Sequence, residues 1–290
     1  MSADGKPWLQ AHWDGHVAVN FLTGGSGSGL LVIAGLAALA GQPLALASWI
    51  GLLLVAGGLA QVSLHLGRPV RGWRALTNLR TSWMTREAYA AAALMPCALL
   101  AALTDSPLAG MPAALAAAAF LYCQARILKE SRGIPAWREP RIVPLIVLTG
   151  LAEGAAIYLL ILLPGAHTFA VLVVGAVLLA VLAARYVAWK QYRTALHGRA
   201  PRASEEVLER AEGPFTGAGH VAPVLLLLVA AGVPQAQGIL ATLAAATVLL
   251  AGWGVKFAIV TRAGYNQGFA IDHTPSRGSG TGGVGSKPGW

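Results

Sequence analysis

The chain has 290 residues, of which 56% are hydrophobic and only 11% charged, less than half the charged share that a soluble domain of this size carries. That excludes a water-soluble globular fold and points to a bilayer as the solvent. The net charge of +9 accompanies no nucleic-acid recognition motif, so anionic lipid or an acidic protein partner is the expected counter-charge, and nucleic acid is not.

Residues 1–17 are polar, lack the short apolar core and cleavage site of a signal peptide, and read as a cytoplasmic segment. Apolar stretches then follow at Ala18–Gly41, Leu44–Leu66, Arg86–Leu103 and Leu108–Leu128. Four more run over Ile142–Leu163, Thr168–Trp189, Thr216–Val233 and Gln235–Ile259. Each can cross about 30 Å of hydrocarbon at a helical rise of about 1.5 Å per residue. Polar alternation is absent, so these are helices rather than strands. The expected fold is all-α, a polytopic bundle of about eight transmembrane helices over residues 18–260. The seventh is the least sharply bounded, because it is short and contains Pro223. Residues 261–290 are rich in glycine and serine and read as a flexible cytoplasmic tail.

The connections after helices one, three, five and seven are tight and free of Lys and Arg, whereas those after helices two, four and six are long and basic. With Lys6 at the N-terminus, Arg185 assigned to the sixth connection and Lys256 assigned to the tail, an even helix count puts all 21 Lys and Arg on one side. By the positive-inside rule that side is the cytoplasm, with both termini inside. The arginine loops can serve as topology signals against lipid, or can dock an acidic subunit through bidentate pairing.

Polar groups at membrane depth are the candidates for chemistry, since a charge there costs about 2.5–3.5 kcal/mol or more. The densest cluster is Ser63-Leu-His65-Leu-Gly-Arg-Pro69 at the end of helix two, with Thr81-Ser-Trp83-Met-Thr-Arg86-Glu87 opening helix three. In this reading Glu87 sits in the first turn, capped by Thr85. An imidazole and a carboxyl at one membrane face can donate to and accept protons from a bound quinone. Equally, Glu87 can complement a helix N-terminus and His65 can satisfy a loop carbonyl; the residues alone leave both open. In helix one His16, Asn20 and Thr23 form a polar stripe at i, i+4, i+7 that can line a pocket or bond neighbouring helices. Gly25 and Gly29 permit close helix contact; Gly25-x-Gly27-x-Gly29 follows no strand, so it is not a nucleotide fingerprint. Glu153, alone near the middle of helix five, is either a proton relay or a hydrogen-bonded packing group. Cys97 and Cys123 are too few and too far apart for a cluster or a CxxC metal site, so neither an iron–sulfur cluster nor another metal is expected in this chain. A membrane haem needs two facing histidines. His65 with His220 is the one pairing available, and haem is not expected.

The two linked segments around His65 and Glu87, with the arginine-rich link between them, resemble the signature of dimethyl sulfoxide reductase membrane anchor subunits, which serve complex iron–sulfur molybdoenzymes. The resemblance covers about Ala18 to Gly268. It implies a quinone site (ubiquinone or menaquinone as bound substrate) with His65 and Glu87 as the functional pair. Asn20, Arg71, Trp83 and Arg86 are candidates for its lining. It also implies an iron–sulfur cluster subunit and a molybdopterin or tungstopterin catalytic subunit on the cytoplasmic side of a bacterial inner membrane. That sidedness favours an intracellular substrate. An aromatic acyl-CoA, as in the phenylacetyl-CoA:acceptor oxidoreductase type, fits, and a small oxide such as dimethyl sulfoxide stays open. A secondary transporter, which would show related halves with broken helices and midplane charges, and a purely structural anchor without quinone contact are the alternatives.

Overall fold

The computed structural model describes residues 6–64, 76–165 and 168–268; His65 and Arg71 lie outside them. Among the described residues, eight helices are long and apolar enough to cross a membrane. They are α1 Gly15–Ala38, α2 Ala45–Leu64, α3 Trp83–Thr104, α4 Pro107–Lys129, α5 Ile142–Leu162, α6 Thr168–Leu196, α7 Arg202–Gly232 and α8 Pro234–Arg262. Among the described residues the extended structure amounts to one isolated bridge, Leu9 to Tyr265. The all-α bundle read from the sequence is the observed fold.

Small residues set its centre. In α1, Gly29 lies against the backbone of Gly150, and Gly154 lies against the backbone of Gly29, so α1 and α5 touch main chain to main chain. Any side chain there would force the helices apart. This close contact is the one anticipated from the glycine spacing in helix one. Around that seam, aliphatic and alanine side chains of α1, α5, α6 and α8 form one buried core. A second, aromatic-rich core near the termini holds Trp137, Trp189, Tyr192 and Phe215.

The first and last described segments meet on one side. Gln10 N donates to Gly264 O at 3.0 Å and Asn266 N donates to Trp8 O at 3.1 Å, which closes the even-numbered topology. On the opposite side Asp105, in a left-handed conformation (φ 50°) at the end of α3, accepts from Leu44 N and Ala45 N at 2.9 and 2.8 Å and so caps α2.

The basic side differs from its sequence reading in two ways. The long sixth connection is mostly helix: α6 runs on to Leu196, and α7 begins at Arg202 and continues through to Gly232. Outside the apolar core these extensions hold each other by Lys190–Glu212 (2.8 Å) and Arg193–Glu212 (3.5 Å). Pro223 does not weaken α7, because it follows a π-turn at Gly217–Val221 that already departs from i→i+4 bonding. Secondly, Arg185 and Lys256 belong neither to a loop nor to the tail. Both are fully buried within α6 and α8.

Candidate functional site

The start of α3 places the acidic candidate. Ser82, rather than Thr85, caps the helix, its hydroxyl accepting from Thr85 N at 3.3 Å. The helix therefore begins at Trp83 and Glu87 falls in its second turn, turned into the bundle and 8% exposed. The Trp83 indole lies between two guanidiniums, Arg86 at 4.2 Å and Arg126 at 4.1 Å, with Tyr122 edge-on. Arg86 also folds back onto Leu79 O and Arg80 O. Trp83 and Arg86 thus fasten the ends of α3 and α4 together rather than joining Glu87 in the interior.

Asn20 does reach Glu87. It is 6% exposed, and its side-chain amide lies close to the Glu87 carboxyl. Among the described residues, Glu87 Oε1 and Asn20 Oδ1 are both buried with no hydrogen-bond partner. Buried acceptors are almost always paired, so two such atoms on neighbouring side chains call for a donor. Thr23 faces the same spot: a Cβ on Gly58 of α2 would stand 2.8 Å from both Asn20 Oδ1 and Thr23 Oγ1. Of the stripe on helix one, Asn20 and Thr23 converge on α2, while His16 stays at the surface paired with Asp14 at 3.1 Å.

What brings Asn20 round is a π-turn, Asn20–Gly24, inside α1. Three of its main-chain carbonyls take side-chain donors. Gln124 Nε2 donates to Asn20 O at 2.9 Å, Lys256 Nζ to Phe21 O at 2.8 Å, and Ser26 Oγ to Leu22 O at 2.8 Å.

Glu153 is not alone. Its Oε2 accepts from Lys256 Nζ at 2.6 Å and shares the single Ser26 hydroxyl proton, at 2.7 Å, with Leu22 O, and Trp253 Nε1 donates to Ser26 Oγ at 2.9 Å. The solitary midplane carboxyl of the sequence reading is half of a buried ion pair. Nearby, Arg185 Nε donates to His220 Nε2 at 3.1 Å and Arg185 Nη2 to Gly219 O. His220 Nδ1 donates to Phe215 O at 2.8 Å, so both of its ring nitrogens are engaged by protein. Among the described residues no three His, Cys, Asp or Glu side chains gather as a metal site requires.

Sequence reasoning missed Gln124, Arg185 and Lys256. The signal for the last two was present: a cation inside a run such as Gly252-Trp-Gly-Val-Lys256-Phe-Ala-Ile demands a buried partner. At the face where residues 8–10 meet 264–266, a crevice of about 770 Å³ opens between the segment before α1 and the turn after α4, lined in part by Trp8, His12, Arg132 and Trp137.

Comparison with known proteins agrees with this architecture. A model of the DMSO reductase anchor subunit (DmsC) matches residues 16–199, from α1 through α6. The C subunit of the sulfite dehydrogenase of Allochromatium vinosum is 32% identical over 138 residues. That alignment covers 41% of this chain and 42% of the relative, so the chain spans under half the length of that relative. With more than half of its length matched by the family's own model, the chain belongs to the DMSO reductase anchor subunit (DmsC) family.

Proposed function

We propose that this protein is the membrane anchor of a molybdopterin or tungstopterin oxidoreductase and exchanges electrons between a membrane quinone and an iron–sulfur partner subunit. The observation that carries the reading is the pair of buried, unpartnered acceptors, Glu87 Oε1 and Asn20 Oδ1, at one end of the bundle. A quinol hydroxyl is the donor they lack, and the apolar helices around them suit its ring and tail. On oxidation of the quinol, Glu87 would take one of the two leaving protons and His65, as the family motif implies, the other, while the two electrons would pass one at a time to the partner's cluster. In the reverse direction the same carboxyl returns a proton to the quinone. His65 would face the second quinone oxygen, as its place in the family motif implies.

On the positive-inside rule, the end carrying Trp8 and Asn266 would face the cytoplasm, and the family motif implies a bacterial inner membrane. The catalytic subunits would then dock there, on the basic connections and beside the crevice at Trp8 and Trp137. A cytoplasmic catalytic subunit favours an intracellular substrate, an aromatic acyl-CoA or a small oxide. The relative named as part of a sulfite dehydrogenase adds sulfur oxyanions to the classes worth assaying.

Isolation of the intact complex tests the reading. Affinity purification of the tagged chain from its native membrane should bring down two larger subunits with iron–sulfur signals and a pterin-bound metal. The clusters should then be reduced on adding quinol, or should reduce quinone. Purification as a lone chain with transport activity would overturn it in favour of the transporter alternative. A complex whose clusters never equilibrate with quinone would leave a structural anchor.

A further inference from the structure

The π-turn in α1 is held from outside its own helix. Three consecutive carbonyls, those of Asn20, Phe21 and Leu22, receive Gln124 Nε2 from α4 (2.9 Å), Lys256 Nζ from α8 (2.8 Å to Phe21 O, 3.3 Å to Leu22 O) and Ser26 Oγ from one turn on (2.8 Å). Lys256 is in turn fixed by Glu153 at 2.6 Å. The room for this convergence comes from Gly25, where a Cβ would stand 2.8 Å from Lys256 Nζ and 3.3 Å from Gln124 Oε1. In hydrocarbon a main-chain carbonyl without a donor is costly, so these side-chain donors stabilise the widened turn. Without them, regular i→i+4 bonding is the lower-energy path through Asn20–Gly24.

The geometric consequence is large. A π-turn inserts one residue into the helical count, and one residue corresponds to about 100° of rotation at 3.6 residues per turn. Closing the turn to regular α-helix would swing Asn20 and the segment before it by about that angle, taking the amide off Glu87.

We infer that Lys256 and Gln124 are positioning residues for the quinone site, clamping the widened turn of α1 so that Asn20 faces Glu87. The buried Glu153–Lys256 pair serves this clamp; Glu153 orients the ammonium and is not a stop on a proton route. The inference rests on the quinone reading above. It assigns function to two side chains that need not touch quinone.

The test uses the assembled complex in membranes and an alkyl-hydroxyquinoline N-oxide, a quinol analogue, as the binding probe. The variants are Gln124→Leu and the charge-neutral double variant Glu153→Gln/Lys256→Met. Both should weaken analogue binding roughly tenfold, the effect of losing one well-placed hydrogen bond. Both should raise the quinol KM with little change in kcat, and leave dye-driven activity of the partner subunits unchanged, since that reaction bypasses the anchor. A merely structural role would lower all activities together through loss of assembled complex. Analogue affinity within about twofold of the parent in assembled Gln124→Leu complex would overturn the inference. That neutral variant decides alone if the double variant fails to assemble. Asn20→Ala and Glu87→Gln separate the two claims. If they bind the analogue as the parent does, the quinone reading itself fails; if they lose it while Gln124→Leu does not, the positioning alone fails.

Discussion

Replacing Lys256 by methionine keeps the length of the side chain and removes its ammonium. In the parent that group donates to Glu153 Oε2 at 2.6 Å and Phe21 O at 2.8 Å, with side-chain exposures of 1% for Lys256 and 0% for Glu153. The single variant leaves a carboxylate in the bundle interior with the Ser26 hydroxyl as its remaining donor. Breaking one side of a buried pair costs about 3–5 kcal/mol. Adding Glu153→Gln removes the stranded charge. What remains is an unsatisfied Phe21 carbonyl, worth about 1–3 kcal/mol, because Leu22 O keeps the Gly25 N–H. The double variant should therefore be more stable than Lys256→Met by about 2 kcal/mol, although it carries one more substitution. Denaturant unfolding of the detergent-solubilised protein, followed by tryptophan fluorescence for the parent, both single variants and the double variant, closes the cycle. A Lys256→Met cost below about 1 kcal/mol, or a double variant equal to the sum of the singles, would refute the pair as described.

Two further outcomes follow from close contacts and caps. Gly58→Ala places a methyl 2.8 Å from Asn20 Oδ1 and Thr23 Oγ1 and should lower quinol-analogue affinity several-fold. Its neighbour Gly57→Ala meets nothing within 4 Å and should bind as the parent does, with stability unchanged or raised by about 0.5–1 kcal/mol. Asp105→Ala loses the acceptor for Leu44 N and Ala45 N and should cost about 0.5–2 kcal/mol in the same unfolding assay. Asp105→Asn should retain most of that stability, since asparagine both caps and tolerates the left-handed backbone.

The architecture was legible because bilayer thickness dictates the length of every apolar run, and the alternation of tight neutral and long basic connections dictates parity. The contact at Gly29 was legible for a similar reason, as main-chain approach in a membrane needs glycine. What escaped were features that depend on partners distant in sequence. A lysine among Leu, Ala and Gly barely changes the average over a helix-length window, so Lys256 was assigned to the tail and Glu153 was left alone, though the two meet across 103 residues of chain. The π-turns escaped because periodicity assumes 3.6 residues per turn throughout. Asn20 was found on the polar stripe, but the bulge that aims it at Glu87 was not. The cap was misassigned between two hydroxyls three positions apart, Ser82 and Thr85, which moved Glu87 from the first turn to the second.

The central claim is that Glu87 and Asn20 make the polar wall of a quinone site, and quinol-analogue titration of the assembled complex tests it most directly. Glu87→Gln and Asn20→Ala should each raise the dissociation constant roughly tenfold or more, while a change at the far end of the bundle, such as Asp105→Asn, leaves it unaltered. Parent-like affinity in both Glu87→Gln and Asn20→Ala would contradict the account.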